Sequence, residues 1–245
     1  MNSPVRRAAA GPLGVMLLVG CVVVSAFGYG REAVRDKPVD RITLRGTATL
    51  DGAPLDAEFL GAVVRRDGMI TPCQSGIPGV TGGRYVITVL ADRAGRGCGR
   101  RGAEVLLWTY AGDTKVYSTT AAPWPSRRKS ARFNPEFSIA TPNGAAPAVT
   151  ELSGEVFDRN GERLPPGTRV DAYVGTTRCG VASVRRSEDF VGYVLSVVGP
   201  ESIGGCTRDA EITFSINARP ASETYVNHLT GGAPGAGGRF RLTQA

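Results

Sequence analysis

Two stretches of the chain repeat one pattern of apolar and polar positions. In the first, Gly83-Arg84-Tyr85-Val86-Ile87-Thr88-Val89 leads to Gly97-Cys98-Gly99 and then to Glu104-Val105-Leu106-Leu107. In the second, Val191-Gly192-Tyr193-Val194-Leu195-Ser196-Val197 leads to Gly205-Cys206-Thr207 and then to Glu211-Ile212-Thr213-Phe214. Tyr85 precedes Cys98 by 13 residues, and Tyr193 precedes Cys206 by 13. Alternation with period two predicts short strands, and a repeat of it predicts a duplicated unit. The strands fall at 42–50, 59–65, 84–90, 103–110 and 133–139, then at 152–157, 169–175, 192–198, 210–217 and 239–243. Asp51-Gly52 and Asn160-Gly161 mark the turns after the two opening strands, since such pairs accept the positive φ of tight hairpins.

This spacing divides the chain into a first β-sandwich module at 41–140, a semi-extended Pro/Ala/Gly linker at 141–149 and a second module at 150–245. Composition agrees: 33 Gly, 16 Pro and 7% aromatic residues suit short strands joined by many turns. Ahead of the modules, Arg6 and Arg7 precede an uncharged run from Ala8 to Gly30. A basic start followed by an apolar segment is an export signal, predicting a hydrophobic helix at 1–30 and a charged spacer at 31–40. Three fates are open to it. It has the length of a membrane anchor, at roughly 20 residues; it could be cleaved after Ala26 or Gly28; or, through Leu18-Val19-Gly20-Cys21, it could carry a lipid on Cys21. All three place the modules outside the cytoplasm, membrane-bound or secreted.

In that oxidising setting the four remaining cysteines are expected to form disulfides. Sequence leaves three connectivities open, and the repeat favours Cys73–Cys98 with Cys179–Cys206. Each closes a loop worth roughly 3 kcal/mol by the chain-entropy argument.

The glycine-started strand, Cys, Tyr-x-x-x-Val and Gly-Cys recur in both copies, followed in the second by Ile212-x-Phe214-x-Ile216 and Ala221-Ser222-Glu223-Thr224. The pattern resembles bacterial surface repeats of about 95 residues, close to the usual size of an immunoglobulin-like domain. Those are tandem Ig-like or carboxypeptidase-regulatory-like β-sandwich modules of exported proteins. The resemblance implies an all-β chain of two tandem Ig-like β-sandwich modules without established catalytic residues. The first copy departs from it at Ala122-Pro123-Trp124-Pro125.

The formal net charge is +7, and the first repeat carries most of the excess, with 13 Lys+Arg against 8 Asp+Glu over 42–149. Its densest cluster is Arg127, Arg128, Lys129 and Arg132. Such a cluster is either a solvated surface or a contact for an anionic partner such as an acidic polysaccharide or lipid headgroups. Nucleic acid is not expected, because no aromatic residues interleave with the charges. A second candidate surface comes from comparing the copies. Where the second has Thr213, Ser215 and Asn217, the first has Leu106, Trp108 and Tyr110; where the second has Arg169, Asp171 and Tyr173, the first has Phe59, Gly61 and Val63. That apolar face is either covered by the other module or the 31–41 segment, or exposed as a binding platform with Trp108 and Tyr110 as anchors.

Catalysis finds little support. The single histidine, His228, lies in a loop without a nucleophile motif, and no pattern brackets a pair of carboxylates. Asp158 to Glu162 offers alternating oxygens that a hairpin turn explains without calcium. No cofactor or metal is expected. The sequence therefore points to a non-enzymatic envelope protein for adhesion, structure, or polysaccharide or protein binding, with a secreted carbohydrate-active enzyme or its accessory module as the alternative.

Overall fold

In the computed structural model the described residues are 40–76, 78–92, 97–125, 129–186, 190–229 and 239–245. The N-terminal segment with Cys21, and Arg127 and Arg128, lie outside them. Every regular element among the described residues is a strand, and no helix there is long and apolar enough to cross a membrane.

The first half contains β1 (Arg41–Thr47), β2 (Thr49–Leu50), β3 (Ala53–Pro54), β4 (Gly61–Arg66), β5 (Met69–Pro72), β6 (Gln74–Ser75), β7 (Arg84–Leu90), β8 (Glu104–Ala111), β9 (Thr114–Tyr117), β10 (Ala122–Pro123), β11 (Ser130–Arg132) and β12 (Glu136–Phe137). One sheet runs β11-β1-β7-β6, a second runs β10-β8-β4-β5 with β9 on β8, and β12-β2-β3 forms a small third. Ile42, Leu44, Tyr85, Ile87 and Val89 of the first sheet meet Ala62, Val64, Val105 and Leu107 of the second in one buried cluster. Alternation along each strand produces this inner face.

The second half contains β13 (Val149–Gly154), β14 (Val156–Phe157), β15 (Arg169–Val174), β16 (Thr177–Ser183), β17 (Arg185–Arg186), β18 (Val191–Val198), β19 (Glu211–Ile216), β20 (Arg219–Val226) and β21 (Leu242–Thr243). Its registers match those of the first half. Gly46 pairs with Tyr85 and Gly154 with Tyr193, while Ala62 pairs with Leu107 and Ala172 with Phe214. The pairings of β12 with β2 and of β21 with β14 are both parallel. Tyr85 donates its hydroxyl to the Phe133 carbonyl at 2.6 Å and Tyr193 to that of Phe240 at 2.9 Å. Opposite each tyrosine, a Cβ on Gly46 would lie 2.0 Å from the Phe133 oxygen, and one on Gly154 2.0 Å from the Phe240 oxygen. Only glycine lets the late segment come so close to the opening strand.

Burial pushes the hydroxyls of Tyr85, Tyr117 and Tyr193 well above the ordinary tyrosine value, with the Glu151 carboxylate adding to the effect at Tyr117. The sign follows from linkage: the unfolded chain ionises these groups first, so their stabilisation is complete below pH ~10 and is lost as pH rises above it. Denaturant midpoints should hold steady up to that pH and then fall. A Tyr85→Phe, Tyr193→Phe chain should be less stable at neutral pH yet show a shallower alkaline decline.

Both disulfides, Cys73–Cys98 and Cys179–Cys206, are present with Cα–Cα separations of 5.6 Å. The Asp51-Gly52 hairpin forms as expected between β2 and β3, with φ of 47° and 85°. At the second turn Asp158 Oδ1 accepts the backbone N–H groups of Asn160 and Glu162, so the carboxylate stabilises the turn itself.

Three features differ from the sequence reading. The strand expected at 133–139 shrinks to β12, and β11 lies ahead of it, with Pro135 between them because proline cannot donate to a ladder. β3, β5, β6, β9, β10, β11, β16, β17 and β20 lie where no strand was expected. Residues 141–149 are not an extended linker. The Pro142 carbonyl accepts the N–H of Tyr117, Ala145 donates its N–H to Ser118, and Ala146 and Val149 are buried.

The described residues belong to one contact unit. β5 lies against β16 and β18, and Val63, Ile70, Leu106 and Tyr117 enter the core of the second half beside Val170, Leu195 and Val197. The sheet containing β4 and β8 is thus covered on both faces, which is why its strands read as nearly continuous apolar runs.

Candidate anion-binding face

The outer face of the β11-β1-β7 sheet is where the basic excess of the first half collects. On β1, Ile42 and Leu44 point into the core, so Thr43, Arg45 and Thr47 point out. On β7, Tyr85, Ile87 and Val89 point in, leaving Arg84, Val86 and Thr88 outside. Ala131 of β11 is partly buried beside Leu44, while Ser130 and Arg132 are exposed. Arg132 stands next to Arg45, Arg45 next to Val86, and Thr47 next to Arg84. Lys129 is exposed at the start of β11 and its carbonyl accepts the Thr43 N–H at 2.8 Å.

Arg45, Thr47, Arg84, Val86, Lys129, Ser130 and Arg132 line an open groove of about 1140 Å³, with Gly79 and Tyr85 also on its wall. Among the described residues, Arg45, Arg84, Lys129 and Arg132 have no carboxylate within ion-pair distance. Some other cations of this half do: Arg65 pairs with Glu104 at 2.7 Å, Arg66 with Asp92, and Lys115 with Glu151 at 2.6 Å. Like charges on adjacent strands repel, so the Arg45–Arg132 arrangement is one that an anion would relieve.

The second half supplies an internal control. At the positions of Arg45, Thr47 and Arg84 it has Ser153, Glu155 and Gly192, as fixed by the shared Gly–Tyr register. Glu155 is paired with Arg163 at 2.7 Å. At the place of Arg132, Arg239 lies over the Phe190 ring at 5.1 Å. The cationic groove therefore belongs to the first half and not to the shared framework.

Sequence reading found Lys129 and Arg132 because they sit in a run. It missed Arg45 and Arg84, which are 39 positions apart and meet only through strand pairing. The signal was available: each lies beside a repeat residue, Gly46 or Tyr85, where the other copy is uncharged.

The aromatic surface has a different fate. Leu106 is fully buried and belongs to the core, which corrects its assignment as a contact residue. Trp108 is half-buried, with Lys115 Nζ 4.0 Å from its ring centre. Its ring lies so close over Gly61 that a Cβ there would be 2.2 Å from Cε2. Phe59 is 4.5 Å away and Tyr110 5.6 Å, centroid to centroid. Of the three proposed contact residues, Tyr110 alone is exposed, at 37%. Burial raises its hydroxyl pKa, and the nearby Glu151 charge raises it further.

No protein-family model matches the chain, and no curated protein matches it. Among solved structures it is similar to the shaft pilin SpaA from Lactobacillus rhamnosus GG, at 9% identity and TM-score 0.23, covering 84% of this chain and 98% of that one. The SpaE basal pilin of the same organism gives 9% and 0.25, covering 82% and 89%. A leucine-rich repeat protein from Bacteroides thetaiotaomicron gives 9% and 0.30, covering 84% of this chain and 27% of that one. Superpositions this loose carry no functional inference, and the reading below rests on the chain's own residues.

Proposed function

We propose that the chain is a non-enzymatic, extracytoplasmic protein of the cell envelope, built from two copies of an Ig-like β-sandwich module, whose first module holds an anionic envelope component. The N-terminal apolar segment supplies export, with anchoring to the membrane or, through Cys21, a lipid. The observation that carries the reading is the groove lined by Arg45, Arg84, Lys129 and Arg132, four cations without acidic partners among the described residues. The matched registers of the halves, with their equivalent disulfides and tyrosine bonds, support the duplicated module. Tyr110 beside the half-buried Trp108 is the remaining candidate for a protein or glycan contact.

The test is binding of the full chain, purified in detergent, to isolated cell envelopes. The triple variant Arg45→Glu, Arg84→Glu, Arg132→Glu should lose about tenfold or more in affinity, since like-charge contacts are strongly penalised at a docking surface. Equal binding by the two proteins would refute the reading.

A further inference from the structure

The groove has a geometry that narrows the class of its occupant. Arg132, Arg45 and Arg84 lie on three adjacent strands, each step crossing one inter-strand spacing of ~4.8 Å, with Arg84 displaced two residues along the sheet. The three arginines are therefore anchored at separate places on the sheet, Arg132 and Arg45 on neighbouring positions and Arg84 farther off. A single phosphate or carboxylate is held by donors converging on one point. Cations anchored apart from one another match an anion that repeats its charge.

The groups between the arginines narrow it further. Thr47 and Ser130 put hydroxyls on the same face, and hydroxyls both donate to and accept from sugar hydroxyls. Arg binds carboxylate through two parallel hydrogen bonds. The one large apolar side chain exposed among them is Val86, at 59%, and among the described residues the one aromatic on the groove wall, Tyr85, is buried. Stacking of nucleobases or of uncharged sugar rings has no platform there. A bilayer surface is disfavoured on two grounds: the face is concave, and it lacks the apolar or aromatic wedge that enters the headgroup boundary.

We infer that the groove binds a linear acidic polysaccharide bearing repeated carboxylates, lying across β11, β1 and β7 so that separate carboxylates meet Arg132, Arg45 and Arg84. This rests on the envelope-binding reading above and specifies its ligand. The occupied groove neutralises the Arg45–Arg132 repulsion, so the ligand should also raise the protein's melting temperature.

The experiment uses the full chain in phosphatidylcholine nanodiscs, titrated calorimetrically with size-graded oligogalacturonates. Affinity should be undetectable for the monomer, climb with length over the first several sugars, and then level off. It should fall with added salt, as expected for release of condensed counterions. Arg45→Gln should weaken binding of the longest oligomer about tenfold, whereas Arg219→Gln, the same charge change on the exposed β20, should leave it unchanged. Equal affinity for monomer and long oligomer would mean a single-anion site, and equal losses in the two variants would mean unspecific attraction. Preferential binding to phosphatidylglycerol vesicles would mean a lipid surface. Any of these overturns the inference. If envelopes still bind in a manner that needs the three arginines while every oligogalacturonate fails, the ligand class is wrong and the broader reading stands. If envelope binding also ignores the arginines, both fall.

Discussion

Lys115→Ala should lower the unfolding free energy by about 3 kcal/mol, the lower part of the range for breaking a buried ion pair by removing one partner. Lys115 on β9 has a side chain only 3% exposed and reaches Glu151 on β13 at 2.6 Å, linking the two halves of the chain. The Glu151 side chain keeps 18% exposure, so water partly relieves it when its partner is lost, which places the effect at the low end. The variant also uncovers the Trp108 ring, over which the ammonium sits. The pair is not in itself a source of great stability, because desolvating two charges offsets their attraction. The double variant Lys115→Met, Glu151→Leu should therefore recover most of the loss. Chemical denaturation of the single and double variants measures this, and a double variant as unstable as the single one would show that the ion pair's geometry is itself required.

Gly154→Ala is expected to cost about 3 kcal/mol, at the upper end for inserting a methyl group into a filled space. The added Cβ would lie 2.0 Å from the Phe240 carbonyl oxygen, which also accepts the Tyr193 hydroxyl. Backbone cannot move aside as a flexible side chain can, so the strand carrying Leu242 must shift and the tyrosine bond must lengthen. Gly46→Ala should behave the same way in the first half, through Phe133 and Tyr85. Thermal unfolding of both variants is the measurement. No loss in either, or a gain of the roughly 0.5–1 kcal/mol that alanine brings over glycine in regular structure, would mean that the late segment is not held at that distance.

Much of the framework could be read from the residues. The strand at 84–90 appears with the same bounds, and both cysteine pairs join as the repeat suggested. These features are local, or are fixed by duplication, and so leave a trace in spacing. β20 escaped notice because Arg219-Pro220 and its polar residues read as loop, although proline suits an edge strand. β5 escaped because it is buried on both sides and shows no alternation. The segment at 141–149 has the composition of a free linker. It is held by carbonyl groups, Pro142 to Tyr117 and Ala145 to Arg65 at 2.6 Å, which side-chain chemistry does not reveal. The groove was legible in part: Lys129 and Arg132 lie in a run, while Arg45 and Arg84 come together only through the pairing of β1 with β7 and β11.

The apolar layer of Val63, Ile70, Leu106 and Tyr117 also has a consequence for biogenesis. The ribosome delivers this surface before the residues that cover it. With synthesis at ~5–20 residues per second, the roughly 100 residues of the second half follow over about 5–20 s. Throughout that interval the nascent first half displays a sticky sheet whose natural cover does not yet exist. A holdase that shields such surfaces would raise the yield of the whole chain.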